Sequence, residues 1–276
     1  MTTRSSVWLV AQRPSREQRR GRYLPESSCH PGKMAPALAA QAIATYTQPG
    51  DVVADPMCGI GTTLVEAAGL GRDGFGVEYE PRWAALAEAN VAVARAGGAP
   101  GEAEIVVGDC RRFAALVPGE LVGQVALVLT SPPYGSSTHG QVSFDGRRVH
   151  KRDTRYSADR ANLAYAGVGP LLTAMEDMLR GAVHVLAADG VVVLTARPWR
   201  RDGALIDLPG VLVGAAVACG FVLAERNVAL LAAVRGHDLV PRASFFQLND
   251  VRKARLAGRP QHVIAHEDVL VFRKHR

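Results

Sequence analysis

Residues Val125 to Gly135 read VALVLTSPPYG. An apolar run of strand type stops at Thr130-Ser131-Pro132-Pro133-Tyr134-Gly135, because two consecutive prolines donate no backbone hydrogen bonds and end a sheet ladder. Beyond the strand lies a rigid, carbonyl-rich corner carrying a hydroxyl at Ser131 and an aromatic ring at Tyr134. Such a corner suits a pocket that grips a flat ring bearing an amine. The oxygens accept from the amine and the aromatic face stacks on the ring.

A second cluster lies upstream. Asp51 to Thr63 reads DVVADPMCGIGTT: a strand, the acidic Asp55, then Pro56, Met57 and Cys58, a glycine turn at Gly59-Ile60-Gly61, and a helix opened by Thr62 and Thr63. This order cradles a nucleotide-like ligand near a helix N-terminus. A bare GxG is weak alone. A dinucleotide fingerprint needs a third glycine three residues after Gly61, where Leu64 stands, and a phosphate-binding P-loop needs Gly-Lys-Ser/Thr, which is absent.

Two further strands end in acids, Val77-Glu78-Tyr79 and Gly108-Asp109-Cys110. Glu78 is placed to accept from two ribose hydroxyls, and Asp109 from an adenine amine. Each alone reads equally as a cap or a surface charge. With Asp55 they put three carboxylates on one sheet edge, a costly arrangement without a ligand. Together with the glycine turn they predict an adenosine-type cofactor.

The elements that must position these groups alternate. Strands are predicted at 51–54, 75–79, 104–107, 125–129, 190–195, 221–232 and 269–272. Helices are predicted from Ala35 to before Pro49-Gly50, at 64–70, from Pro81 to Gly97-Gly98, at 168–187 and 209–219, with a helical piece near 248–257. The apolar Val7 to Val10 suggests a short edge strand. This spacing predicts an α/β fold with a doubly wound, mostly parallel sheet. Residues 1–33 read as a basic N-terminal arm, 34–276 as one domain, and 135–165 as its one long basic loop, of the length that usually carries function.

The chain of 276 residues is 48% hydrophobic and 21% charged, with net charge +6. That composition belongs to a folded protein rather than a disordered one. Basic residues gather in the arm and in the segment holding Arg147, Arg148, Lys151, Arg152 and Arg155. One such cluster is ordinarily a solvated face; two flanking one pocket predict phosphate contacts with a nucleic acid. Cys29, Cys58, Cys110 and Cys219 have no metal-site spacing, so no metal is expected. Without a signal core or a spanning run, the expectation is a soluble cytoplasmic protein, associated with the nucleoid when acting on DNA.

DPMCGIGTTLVEA resembles the DPF-x-G-S-G-T-T motif of S-adenosylmethionine-dependent amino-methyltransferases, and TSPPYG resembles their catalytic motif. His30-Pro31-Gly32-Lys33-Met34 resembles the segment that precedes the glycine motif and contacts the cofactor, and HEDVLVFR is similar to their closing strand. The similarity spans most of the chain from His30. Gly32 and Ile60 depart from the usual Ala and Ser, and the motif order matches a group without a large inserted recognition domain.

The resemblance implies a seven-stranded class I (Rossmann-like) methyltransferase fold with S-adenosyl-L-methionine as cofactor and S-adenosyl-L-homocysteine as product. It implies cofactor contacts from His30, Lys33, Met34, Asp55, Pro56, Met57, Cys58, Gly59, Gly61, Thr62, Thr63, Glu78, Tyr79, Asp109, Cys110 and Ser131. Ser131, Pro132, Pro133 and Tyr134 are the implied catalytic corner, which methylates an exocyclic amine of a flipped base with no covalent intermediate. Serine in the first position resembles cytosine-N4 enzymes acting on DNA. The partner is thus DNA, with RNA the alternative. That alternative is an RNA methyltransferase acting on guanine N2 or adenine N6, similar to tRNA guanine-N2 enzymes. A non-catalytic nucleic-acid-binding module is a third reading, and the chain is expected as a monomer or homodimer.

Overall fold

The computed structural model describes residues 5–133, 141–144, 149–152, 156–159, 162–201, 203–243 and 245–275. Its layering follows from the period of two along the central strands. On one face of the sheet Val53, Leu127, Leu129, Val191, Val193, Val269 and Val271 pack together. On the other, Ala54, Val128, Val192, Leu194, Leu270 and Phe272 do. A strand apolar on both faces needs cover on both, as parallel sheets require.

In chain order the elements are β1 (Val7–Trp8), α1 (Ser15–Arg19), α2 (Pro36–Tyr46), β2 (Val52–Asp55), α3 (Thr62–Gly69), β3 (Asp73–Glu78), α4 (Pro81–Ala96), β4 (Ala103–Val107), α5 (Phe113–Leu116), β5 (Val125–Thr130), β6 (Gln141–Phe144), β7 (Val149–Arg152) and α6 (Val168–Val185). They continue with β8 (Leu186–Ala196), β9 (Trp199–Arg201), β10 (Ala204–Ile206), α7 (Leu208–Ala218), β11 (Phe221–Leu230), β12 (Ala232–Arg235), β13 (Asp238–Pro241), α8 (Phe245–Leu256) and β14 (His266–Lys274).

The main sheet runs β1-β11-β14-β8-β5-β2-β3-β4. It has eight strands where seven were expected, because β1 pairs in parallel with β11 at the edge. β14 runs antiparallel to both β8 and β11. The remaining ladders are parallel. Helices α2, α3 and α4 cover one face and α5, α6 and α7 the other. The carboxyl ends of β2, β3, β4 and β5 therefore open onto one edge, where such sheets bind ligands.

The described part of the N-terminal segment folds onto this body. Tyr23 packs among Ile60, Leu64 and Trp83. Its hydroxyl donates to Glu66 Oε1 at 2.7 Å, and Arg22 pairs with the same carboxylate at 2.8 Å. Buried Arg19 donates to the Met34 carbonyl. The expected run at 221–232 divides after Leu230, because Ala232–Arg235 leaves β14 and pairs with β13 in a separate hairpin. Within the expected 135–165 loop, β6 and β7 form an antiparallel hairpin and Leu163–Tyr165 a 3₁₀ turn. Among the described residues no helix is long and apolar enough to cross a membrane.

Candidate active site

The glycine turn is held from both sides by carboxylates. Asp55, at the end of β2, accepts from the Met57 amide at 3.0 Å and the Thr63 hydroxyl at 2.6 Å. Glu78, at the end of β3, accepts from the Gly59 amide at 2.8 Å and the Glu80 amide at 2.9 Å. Gly59 and Gly61 have φ of +56° and +77°, which side-chain-bearing residues rarely adopt. A Cβ at Gly61 would also meet Ala87 at 3.0 Å. The turn is thereby a rigid cradle leading into α3.

Burial raises Asp55 to about 6, against the bonds from Thr63 and Met57. Burial likewise raises Glu78 to about 7, with the nearby Asp55 and Glu80 charges adding to it and the two amide bonds opposing it. A carboxylate held this close to neutrality gains when further hydroxyl donors reach it. Asp109, at the end of β4, behaves differently. Burial works to raise it, but hydrogen bonds and charge from Arg111 outweigh that, so it lies below the ordinary carboxylate value. Arg111 Nε reaches Asp109 at 2.8 Å and the Arg111 amide at 2.9 Å. A carboxylate has about four acceptor positions, so Asp109 keeps capacity for an amine.

These groups line two adjoining cavities. The first is bordered by Pro56, Glu78, Tyr79, Asp109, Cys110 and Pro133. The second is bordered by His30, Lys33, Met34, Asp55, Gly59 and Thr62. Met57, Ser131 and Tyr156 border both. The first offers acceptors for hydroxyls and an amine beside apolar walls. The second offers the Lys33 ammonium and the start of α3, suited to a carboxylate.

The donor set suits S-adenosylmethionine: Glu78 and Asp109 would accept from its nucleoside hydroxyls and amine, and Lys33 would hold its amino-acid carboxylate. Cys58 and Thr63 complete the second cavity. Gly61 shapes the turn without bordering either cavity.

His30 is buried beneath the second cavity. Its ring meets Trp83 and Tyr156 edge-on, each at 4.7 Å. Burial, with the charge of Lys33 adding, lowers it to about 3, so the imidazole is neutral at physiological pH. Burial lowers Lys33 to about 8, with Arg19 contributing. Lys33 donates to the carbonyls of His30 and Ser28.

Tyr156 and Asn162 are residues that sequence reasoning missed. The Tyr156 carbonyl accepts from Trp83 Nε1 at 2.9 Å and Arg82 at 2.7 Å. Asn162 donates to Glu80 at 3.0 Å, and Tyr79 donates to Asp159 at 2.6 Å. These contacts tie residues 156–159 and Asn162 to the first turn of α4 and to Tyr79 and Glu80 just before it. The partners lie more than 70 residues apart in sequence, so no local spacing marks them.

Of the expected catalytic corner, Ser131, directly after β5, borders both cavities and Pro133 the first; Pro132 borders neither, and Tyr134 lies outside the described residues. Arg147, Arg148 and Arg155, expected to contact nucleic acid, also lie outside them. Lys151 and Arg152 are on β7, and only their backbone is described.

Residues 2–89 match the DNA methylase family of the N6/N4 type. The amino-methyltransferase resemblance is borne out over that stretch, which holds the His30 segment, the glycine turn and Glu78 and ends before Asp109 and Ser131. S-adenosylmethionine is the cofactor this family implies.

The structure is also similar to TrmN from Thermus thermophilus, with TM-score 0.53 and 20% identity over 93% of this chain and 52% of that one. This chain thus spans about half of TrmN's length. It is similar too to precorrin 8W decarboxylase from Methanobacterium thermoautotrophicum, with TM-score 0.51 and 15% identity over 91% of this chain and 96% of that one. At such identities the likeness is one of fold, the Rossmann-like methyltransferase architecture, and fold alone does not carry activity.

Proposed function

We propose that this chain methylates an exocyclic amine of a nucleobase, the N4 amine of cytosine in DNA. The observation that carries the reading is the meeting of the two cavities at Ser131, on the strand end that leads into Pro132 and Pro133. S-adenosylmethionine supplies the methyl group as a sulfonium substituent and leaves as S-adenosylhomocysteine.

The target amine is a poor nucleophile because its lone pair is delocalised into the ring. The Ser131 hydroxyl and the Pro132 carbonyl would accept its two N–H groups and draw the nitrogen toward tetrahedral geometry, freeing the lone pair. Tyr134 would stack on the base and hold the amine in line with the methyl group, a contribution of orientation. The nitrogen attacks the methyl carbon as the sulfonium S–C bond breaks, and the cationic nitrogen then releases one proton to solvent water, so no covalent enzyme intermediate is needed. A base within a duplex must leave the stack to reach the corner. Serine at position 131 favours cytosine by resemblance, and the family match over residues 2–89 favours DNA.

The test is incubation with methyl-labelled S-adenosylmethionine and duplex DNA, followed by nucleoside mass spectrometry. Label is expected on N4 of deoxycytidine with the wild-type protein, and at about a hundredth of that rate with Ser131→Ala. Label on RNA alone would favour the RNA methyltransferase reading. No label on either, with nucleic-acid binding intact, would favour a non-catalytic binding module.

A further inference from the structure

Two segments outside the candidate site share its edge of the sheet. β8 ends at Ala196 beside β5, and residues 197–207 continue from that end into α7. β11 pairs antiparallel with β14, so β11 ends where β14 begins. The chain between them, residues 231–265, must therefore start and finish at the carboxyl edge.

Together these 46 residues hold nine Arg or Lys against four Asp or Glu, a net +5 of the chain's +6. The two segments also touch: Arg200 Nη1 donates to the His262 carbonyl at 3.3 Å, and a Cβ at Gly203 would lie 3.3 Å from Arg259.

The cations there are outward-facing. Arg252, Lys253, Arg255 and Arg259 are exposed and Arg200 is half-buried. Among the described residues none of these five is in an ion pair. Among the described acids of these segments, Asp207 accepts from the Gly210 amide at 3.0 Å to cap α7, and Asp238 and Asp250 are exposed and in no ion pair. Arg235 and Arg242 are engaged instead with Gln12 and Ala11, which pins the β12–β13 hairpin to the body. Arg252 and Arg255, three residues apart on α8, border a shallow groove with Leu248, Val251 and Leu256.

A basic surface on the same sheet edge as Ser131, with five described cations in no ion pair, is complementary to a polyanion. We infer that this platform, formed by β9–β10 and α8 with the segment after it, grips the phosphate backbone of the DNA duplex beside the flipped base. The assignment rests on the proposed function for its DNA substrate. It places affinity in a part of the fold outside the cofactor crevice. Such contacts hold and orient the duplex without reading its sequence.

The experiment compares Arg252→Gln/Arg255→Gln with a control, Arg95→Gln/Arg180→Gln. The control removes two cations that are paired with Glu102 and with Glu176 and Asp177, on helix stretches leading away from this edge. Fluorescence anisotropy with labelled duplex DNA across a salt series reads affinity. Thermal melting and S-adenosylhomocysteine binding report folding. Each phosphate contact contributes about 0.9 to the slope of log affinity against log salt. The platform variant is expected to lose roughly tenfold or more in affinity at physiological salt and about two in slope. Its melting and cofactor binding stay as in wild type, and the control stays near wild type in all respects. A wild type that methylates DNA normally, with equal losses in both variants or in neither, would overturn the platform and leave the function standing. A wild type that neither binds nor methylates duplex DNA would overturn both.

Discussion

The two halves of the carboxyl edge are built on opposite plans. Residues 51–130, which supply the β2, β3 and β4 ends, hold eleven Asp or Glu against five Arg or Lys. Asp55 and Glu78 are buried and bonded to backbone or hydroxyl donors at set distances, and half-buried Asp109 is held by Arg111. Beyond β5, the segments at 197–207 and 231–265 are basic, and their cations largely face water. The first half consists of the turns that the sheet itself requires. The second consists of additions between strands. A small ligand needs acceptors fixed to fractions of an ångström, which only packed turns provide. A long polyanion is attracted through water by many loosely held charges, which additions can carry at little cost to the core.

That division is open to direct attack. The largest effects are expected in the acidic half. Glu78→Gln removes the charged acceptor for the ribose hydroxyls and should weaken S-adenosylhomocysteine binding by about 100-fold in calorimetry, given the usual strength of hydrogen bonds to charged groups. Its duplex DNA affinity should stay within a factor of about three. An equal loss of both would show that the halves are not separable. Ser131→Ala should cut the methylation rate by about 100-fold, the scale of one well-placed polar group. Cofactor and DNA affinity should survive; loss of either would reassign Ser131 to binding.

A smaller effect comes from pH. If Glu78 holds the ribose hydroxyls as proposed, they favour its ionised form, which sits near 7 in the free protein. Cofactor affinity should therefore fall as pH drops below about 7, by up to about tenfold per unit, with proton release on binding near neutrality. Stability of the cofactor-free protein should move the other way. The folded state holds a proton on Glu78 between its ordinary value of 4.5 and about 7, while the unfolded state does not, so stability falls as pH rises through that window. Glu78→Gln should flatten both curves. The smallest change is expected for Tyr156→Phe. Its hydroxyl lies 3.4 Å from the Gly32 carbonyl, so cofactor affinity should shift by no more than about fivefold, the range for one neutral hydrogen bond.

Much of the acidic half is legible in the sequence, because each feature there is local. Gly59-Ile60-Gly61 forces a tight turn, Glu78 and Asp109 close apolar runs, and Pro132-Pro133 ends a ladder. The features that are not legible depend on distance along the chain. Tyr156 meets His30 and Trp83 only after the chain has crossed the sheet. Arg19 and Arg22 read as free cations until Met34 and Glu66 are brought beside them. The β12–β13 hairpin hides because its apolar residues continue the β11 run without a break. Glycine at 236, with φ of +58°, is the one local sign of the turn. The 231–265 platform likewise has no period to mark it; only the antiparallel return of β14 places it at the active edge.

The central claim is that the corner at Ser131 methylates cytosine in DNA. It is met most directly by nucleoside mass spectrometry on DNA and RNA from cells expressing the wild-type protein or Ser131→Ala. N4-methyldeoxycytidine in the wild-type DNA, strongly reduced with Ser131→Ala and with RNA unchanged, is the predicted result. DNA identical in the two, with a methylated base differing only in the RNA, would contradict it.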